Sequence, residues 1–488
     1  MVDYLKRQVY GSKSETAKAL DIQISLFDEA EVESDVNAVE PTLEEIDTYR
    51  RKKYKGQRKD KLKDLPHDKV LIKTFEEDTI CEACGTQMKR IGEEFVRTEV
   101  EFIPAKLRVI DYYREVYECR TCRKNGDPYI EKSPMPDPVI PHSFASASSV
   151  AYVMHQKFTN GMPLYRQEAE WKNSGLNLSR ATMSNWILIA SNQWLKPLVD
   201  RMHEMMVKEK YLHADETRVQ VLREKNRSAQ TKSYMWVYST AKECTTPMRI
   251  YEYHPTRNGD NAKQFLKAFS GFLISDAYQA YNKVDNITRC YCWSHLRRCY
   301  TDSLPKNHES MEYTLPATAI NYCANIFAIE KTIAGKSAEE RLKVRQERIK
   351  PIVDDFFAWA NDIADRKICL PKSKLGKAIT YTLNQKEGLT EFLNDGNIPC
   401  TNNLAENTIR PFTVGRRAWL FSGSPDGAKA SAYVYSIVET AKANNINPFR
   451  YLSYVLKNMP GLTYDENPEF LDDLLPWSEE IQNVCKVK

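Results

Sequence analysis

The stretch YLHADETRVQV, residues 211–221, alternates apolar and polar side chains and ends on β-branched residues, the pattern of a half-buried strand. Its one interior break is Asp215. Burying a carboxylate without a counter-charge costs several kcal/mol, so an acid there marks a cation or a site. SYMWVYST (233–240) and MRIYEYH (248–254) repeat the strand-like composition, and DNAKQFLKAF (260–269) reads as a helix. GFLISDAYQAY (271–281) and ITRCYCWSH (287–295) then return to strand. Three consecutive strands, then helix, strand, helix, strand, predict a mixed sheet with helices, a multidomain α/β protein.

Asp276 follows GFLIS just as Asp215 follows YLHA. Two strand-end acids in one sheet can converge on a divalent metal, which takes hard oxygen ligands. A third ligand would come from a helix, and Glu406 in NNLAENTIRP is the candidate, with Arg410 one helical turn later. Two metals about 3.5–4 Å apart would activate a water or 3′-hydroxyl and stabilise the leaving oxygen in phosphodiester chemistry. Among 66 acids, Glu216 reads as a solvated neighbour and Asp426 as a turn residue.

Helical patterns flank the sheet. In residues 143–208, Pro163 opens PLYRQEAEW, Gly175 breaks it, and Ser179 is placed to N-cap SRATMSNWILIASNQWL. Helix, short turn, helix is the helix-turn-helix pattern, which also fits two ordinary core helices. Residues 308–395 read as almost wholly helical, and 402–458 resume with the Glu406 segment and a long helix. PMPDPVIP (134–141) is a proline-rich joint.

Before that joint, Cys81-Glu-Ala-Cys84 and Cys119-Arg-Thr-Cys122 form a CxxC pair separated by 34 residues of strand-like sequence. Each CxxC aims two thiolates at one tetrahedral ion, so the four predict a structural Zn²⁺ ribbon with no open coordination position. Cys290, Cys292, His295 and Cys299 lie within ten residues, but read as small buried hydrophobes with a positioned histidine.

The 488 residues predict three or four domains. Seventy Lys+Arg against 66 Asp+Glu leave a formal charge of only +4, which alone does not indicate a nucleic-acid binder. No apolar run reaches ~18 residues, and MVDYLKRQVYGSKSE has no signal-peptide core. A cytosolic chain with reduced cysteines is expected. The charge is unevenly spread, however. Residues 28–47 hold nine acids and no base, while 50–63 hold nine bases, Arg51, Lys52 and Lys53 among them, and one acid. The pair reads as a solvated linker or as a basic arm for phosphates.

Four blocks together resemble the transposases of the insertion sequence 66 (IS 66) family: CEACG…YECRTC, PLYRQEAEWKNSGLNLSRATMSNWI, the strands HADETRVQV, GFLISDAYQAYN and CYCWSHLRR, and NNLAENTIRPFTVGRRAWLFSGSPDGAKASAYVYSIVETAKANNINPFRYL. KRQVYGSKSE and DDLLPW also fit, so the resemblance spans nearly the whole chain. It implies an RNase H-like catalytic core with a DDE triad of Asp215, Asp276 and Glu406 binding Mg²⁺ or Mn²⁺. It also implies a Zn-binding domain at Cys81, Cys84, Cys119 and Cys122. The 129 residues between Asp276 and Glu406 then read as a core interrupted by a helical insertion. Arg180 and Asn185 of the helix-turn-helix, Arg297 and Arg298, and Arg410, Arg416 and Arg417 would contact DNA, with His295 supporting the site. Implied partners are double-stranded DNA at inverted-repeat ends and target, accessory proteins of the same element, and further copies of the chain on DNA.

Family members usually begin with a longer coiled coil, and this chain starts close to where that would end, so self-association there is not expected. The expected organisation is an arm (1–66), zinc ribbon (67–135), helix-turn-helix region (140–208), core (209–304), helical insertion (305–397), second core part (398–440) and helical tail (441–488). The expected function is metal-dependent DNA cleavage and strand transfer in the bacterial cytosol or nucleoid. The alternatives are a non-catalytic regulator binding transposon ends and another RNase H-like nuclease.

Overall fold

The computed structural model describes residues 107–113, 115–118, 130–132, 136–304, 314–464 and 467–487, all within a unit spanning Lys106–Val487. The four ribbon cysteines and the basic arm with Arg51, Lys52 and Lys53 lie outside the described residues. A short antiparallel pair, β1 (Val116–Glu118) and β2 (Ile130–Lys132), precedes the proline-rich joint.

Helices α1 (Ala147–Phe158), α2 (Leu164–Asn173), α3 (Arg180–Ala190) and α4 (Lys196–Met206) follow, a π-turn at Ser191–Leu195 separating the last two. Ser179 caps α3 by accepting from the Thr182 N–H at 3.1 Å. Gly175, at φ +93°, makes the left-handed turn out of α2 that side-chain-bearing residues rarely adopt.

The sheet has the order β5-β4-β3-β6-β7. Strands β3 (Tyr211–Gln220), β4 (Lys232–Thr240) and β5 (Arg249–His254) are antiparallel neighbours, with Asp215 opposite Val237. After α5 (Gly259–Phe265), β6 (Gly271–Ser275) and β7 (Ile287–Tyr291) lie parallel to β3. Residues along β3 alternate between the two faces. On one face, Tyr238 stacks on Phe265 of α5 with ring centroids 3.7 Å apart. Helix α12 (Asn403–Trp419) lies on the other, where Thr408 meets Ser239 and accepts from the Tyr251 hydroxyl. Helix α13 (Pro425–Ala443) covers the β5 edge. Its Thr440 and Ser436 hydroxyls accept from the Arg249 and Tyr251 N–H groups at 3.0 and 2.8 Å, which satisfies donors an edge strand would leave open.

Beyond β7, α6 (Trp293–Thr301), α7 (Leu315–Ile333), α9 (Lys350–Asp365), α10 (Lys374–Asn384) and α11 (Lys386–Thr390) build a second apolar core, with the short α8 (Ala338–Val344) outside it. Trp293 sits at its centre, its indole donating to Leu389 O at 2.8 Å. Gly388 lets α11 approach the sheet, since a Cβ there would lie 2.3 Å from the Tyr291 ring. The first core joins α1–α4, most of the sheet, α13 and the C-terminal α14 (Pro448–Asn458) and α15 (Glu479–Cys485). Among the described residues no helix is long and apolar enough to cross a membrane, and the eight cysteines are free thiols.

Candidate active site

Three segments meet beside the middle of β3 and the end of β6; Asp215, expected to follow a strand, lies within β3, which runs on to Gln220. Cys292, just after β7, donates its N–H to Ser275 O at 3.2 Å, next to Asp276. Trp293 donates to Cys400 O at 2.9 Å, bringing in the segment before α12. Asn402, 1% exposed, closes the junction. Its amide donates to Ala214 O at 2.9 Å, its N–H to Cys292 Sγ at 3.1 Å, and its Oδ1 lies 2.9 Å from His213 Nδ1. Because the Asn402 amide nitrogen serves Ala214, its oxygen accepts and His213 Nδ1 carries the hydrogen. Burial holds His213 down to about 4, against the Asn402 bond, so it is neutral near pH 7.

This junction places Asp215 on β3, Asp276 one residue past β6 and Glu406 in the first turn of α12 within mutual electrostatic reach. Asp215 is pushed up to about 8, first by burial, then by the charge of Glu216, with Asp276 and Glu406 adding to it. Each aspartate is oriented locally. Asp215 Oδ1 accepts from the Glu216 N–H at 2.8 Å and Asp276 Oδ1 from the Tyr278 N–H at 3.0 Å. His295 Nδ1 lies 3.6 Å from Glu406 Oε1, and both atoms are buried without a hydrogen-bond partner. With Cys292 Sγ they form a set within 4.8 Å of one another, close enough to hold a cation. Cys292 already accepts from Asn402, and burial raises its thiol, which accords with a capping, non-metal role. Orphaned buried donor atoms beside three acids that repel one another fit a divalent cation.

Glu216 is not a solvated neighbour. Its side chain is 2% exposed and paired with Arg257, whose Nε donates to Oε1 at 2.8 Å, while the Tyr281 hydroxyl donates to Oε2 at 2.7 Å. Burial raises its carboxyl against the pull of Tyr281 and Arg257. Arg257 stands 41 residues away in sequence, so composition around Glu216 gave no sign of the pair. Asp426 is exposed in the first turn of α13.

Arg180 and Asn185 are exposed on α3, Arg297 and Arg298 on α6, and Arg410 and Arg417 on α12. Arg416 differs. It is half-buried and donates to Arg218 O and to Thr217 Oγ1 at 3.4 Å, tethering the end of α12 to β3. Cys290 is buried in the second core and Cys299 packs against it.

The arrangement is that of a mixed α/β protein with an acid cluster drawn from the middle of β3, the end of β6 and the first turn of α12. Residues 142–430 match the family model described as Transposase IS66 family, and the chain belongs to that family. Residues 78–123, which include all four CxxC cysteines, match the zinc-finger binding domain of transposase IS66, which supports a structural zinc. Residues 436–477 match the IS66 C-terminal element, and 1–70 a model described as Transposase C of IS166 homeodomain. The chain is 30% identical over 502 residues to the uncharacterized protein y4hP of Sinorhizobium fredii, covering 98% of this chain and 87% of that one. It is 28% identical over 501 residues to the uncharacterized protein y4jD of the same organism, covering 99% and 94%.

Proposed function

We propose that this transposase binds the inverted-repeat ends of its element and carries out metal-dependent DNA cleavage and strand transfer, with Asp215, Asp276 and Glu406 as a DDE triad on an RNase H-like core. What supports the triad most is the meeting of three half-buried acids from β3, the end of β6 and α12, with Asp215 raised to about 8. The strand order, three antiparallel strands followed by two parallel to the first, fits an RNase H-like core. The helices from Leu315 to Thr390 are then an insertion between the second and third acids.

Mg²⁺ or Mn²⁺ held by the three acids supplies Lewis-acid activation of the phosphodiester and of the attacking hydroxyl. Asp215, raised to about 8, would hold the cation as the carboxylate, its proton passing to solvent. His295 Nδ1 faces Glu406 and keeps that carboxylate oriented. Arg297, Arg298, Arg410 and Arg417 lie on the helices that carry His295 and Glu406 and contact phosphates, and Arg180 and Asn185 present α3 to the duplex. The zinc ribbon and the basic arm at Arg51, Lys52 and Lys53 add contacts from the N-terminal side. The protein works on DNA in the bacterial cytosol, with further copies and accessory proteins of the element as partners.

Cleavage of DNA carrying the element's termini, with Mg²⁺ and with EDTA, tests this. Asp276→Asn is expected to cut at least about 10³-fold more slowly, a loss of ~4 kcal/mol of transition-state stabilisation. Equal cutting by variant and wild type removes Asp276 from the triad. Terminus binding by wild type with no cutting in any metal identifies a regulator instead.

A further inference from the structure

Two arginines grip the turn that carries Asp276. Arg289 of β7 stands opposite Leu273 of β6. Its Nη2 donates to the Asp276 main-chain oxygen at 2.6 Å and to Ser275 Oγ at 2.8 Å. Its Nη1 donates to Tyr278 O at 3.1 Å and to Asn282 Oδ1 at 2.7 Å. One planar group therefore binds the backbone on both sides of Ala277, a span that a guanidinium fork makes and a point ammonium does not. Arg257 grips from the other side. Its guanidinium lies 3.6 Å from the centre of the Tyr278 ring, and the Tyr278 hydroxyl donates back to Arg257 O at 2.7 Å. Tyr278 is also the residue whose N–H fixes Asp276 Oδ1. Arg257 is itself anchored by buried Glu216, the neighbour of Asp215 on β3.

Asp276 sits on a turn rather than within a strand, so no ladder hydrogen bond fixes it beside Asp215. Without restraint that turn would relax away from Asp215. The pair is also a poor choice for stability alone, because Glu216 is desolvated while Arg257 is 38% exposed and screened by solvent. Arg289 binds Ser275, Asp276 and Tyr278, and Arg257 meets the same turn at Tyr278, which is the placement that orientation of a ligand requires.

We propose that Arg289 and the Glu216–Arg257 pair are positioning residues that hold Asp276 at a fixed separation from Asp215 before a cation arrives. The proposal rests on the reading that Asp215, Asp276 and Glu406 bind divalent metal. It assigns the pair and Arg289 no contact with DNA or metal.

The test uses the full chain and Mn²⁺, its binding followed by loss of the free-ion paramagnetic resonance signal. Three variants are compared: Arg289→Gln, Arg289→Lys, and the charge-balanced double variant Glu216→Gln with Arg257→Gln, which leaves no buried charge unpaired. Melting midpoints and binding to terminal DNA in EDTA report folding. Mn²⁺ affinity is expected to fall about 10–100-fold in each, the usual cost of losing an outer partner of a metal ligand. The kcat for cleavage should fall with KM for DNA unchanged, and Lys should not rescue Arg289. Wild-type Mn²⁺ affinity in the folded variants overturns the proposal. If Arg289→Gln does not fold, the double variant decides. Asp276→Asn is measured alongside. If it too binds Mn²⁺ normally, the triad reading falls. If it loses Mn²⁺ while the other variants keep it, only the positioning role falls.

Discussion

Asp215 shows what the acid cluster costs the fold. Its carboxyl is pushed up to about 8 by burial and by the neighbouring acids, from an ordinary 3.8. In the unfolded chain it ionises near 3.8, so between about pH 4 and 8 the folded form holds a proton the unfolded form has released. Its contribution to stability is complete below 3.8 and is lost as pH rises towards 8. Asp215→Asn removes that loss. The metal-free variant should melt roughly 2–5 °C above wild type at pH 8 and equally with it at pH 4, by differential scanning calorimetry. Mg²⁺ should raise the midpoint of wild type and not of the variant. An equal gap at both pH values refutes the assigned ionisation. Asp276 was legible because it ends an apolar strand; Asp215, expected at a strand end, lies in the middle of β3 and was legible only as an acid breaking the apolar alternation. Glu216 was not, since its counter-ion comes from the loop before α5 and alternation along β3 says nothing about a partner across space.

At the scale of elements, α12 is held onto β3 at both ends, by Asn402 at the start and Arg416 near the finish. Asn402→Ala would leave Ala214 O and His213 Nδ1 buried and unpaired, at about 1–3 kcal/mol for each group. The expected result is a loss of roughly 2–5 kcal/mol in urea unfolding, with Mn²⁺ affinity reduced because Glu406 rides on the released helix turn. Wild-type stability in this variant refutes the tether. The strands themselves were legible from their alternation and β-branched composition, the N-cap of α3 from Ser179 and the stop of α2 from Gly175. The seating of α12 on the sheet was not. Asn402 has a side chain that serves equally as an ordinary helix-start residue, and the carbonyl it meets on β3 lies 188 positions earlier.

At the scale of the molecule, the chain closes on itself: α14 and α13 return to pack with α1 and the sheet in one core, while the helices after β7 form another. Sequence patterns place the helices but carry no signal for which end joins which core, because every amphipathic stripe fits several partners. Charge is organised on the same scale. The formal total of +4 hides nine acids in 28–47 beside nine bases and one acid in 50–63, just ahead of the zinc-finger match at 78–123. An acidic stretch tethered so close competes with phosphates for the basic one, since only residues 48 and 49 separate the two and hold it at high effective concentration. Deleting 28–47 should therefore raise affinity for non-specific duplex DNA about 3–10-fold at 50 mM salt, with the gain shrinking towards 200 mM as counter-ion release weakens and charges are screened. Fluorescence anisotropy with a random-sequence duplex reads it directly. An affinity unchanged at low salt means the acidic stretch does not shield the arm, and a gain that persists undiminished at high salt means the deletion acts by something other than charge.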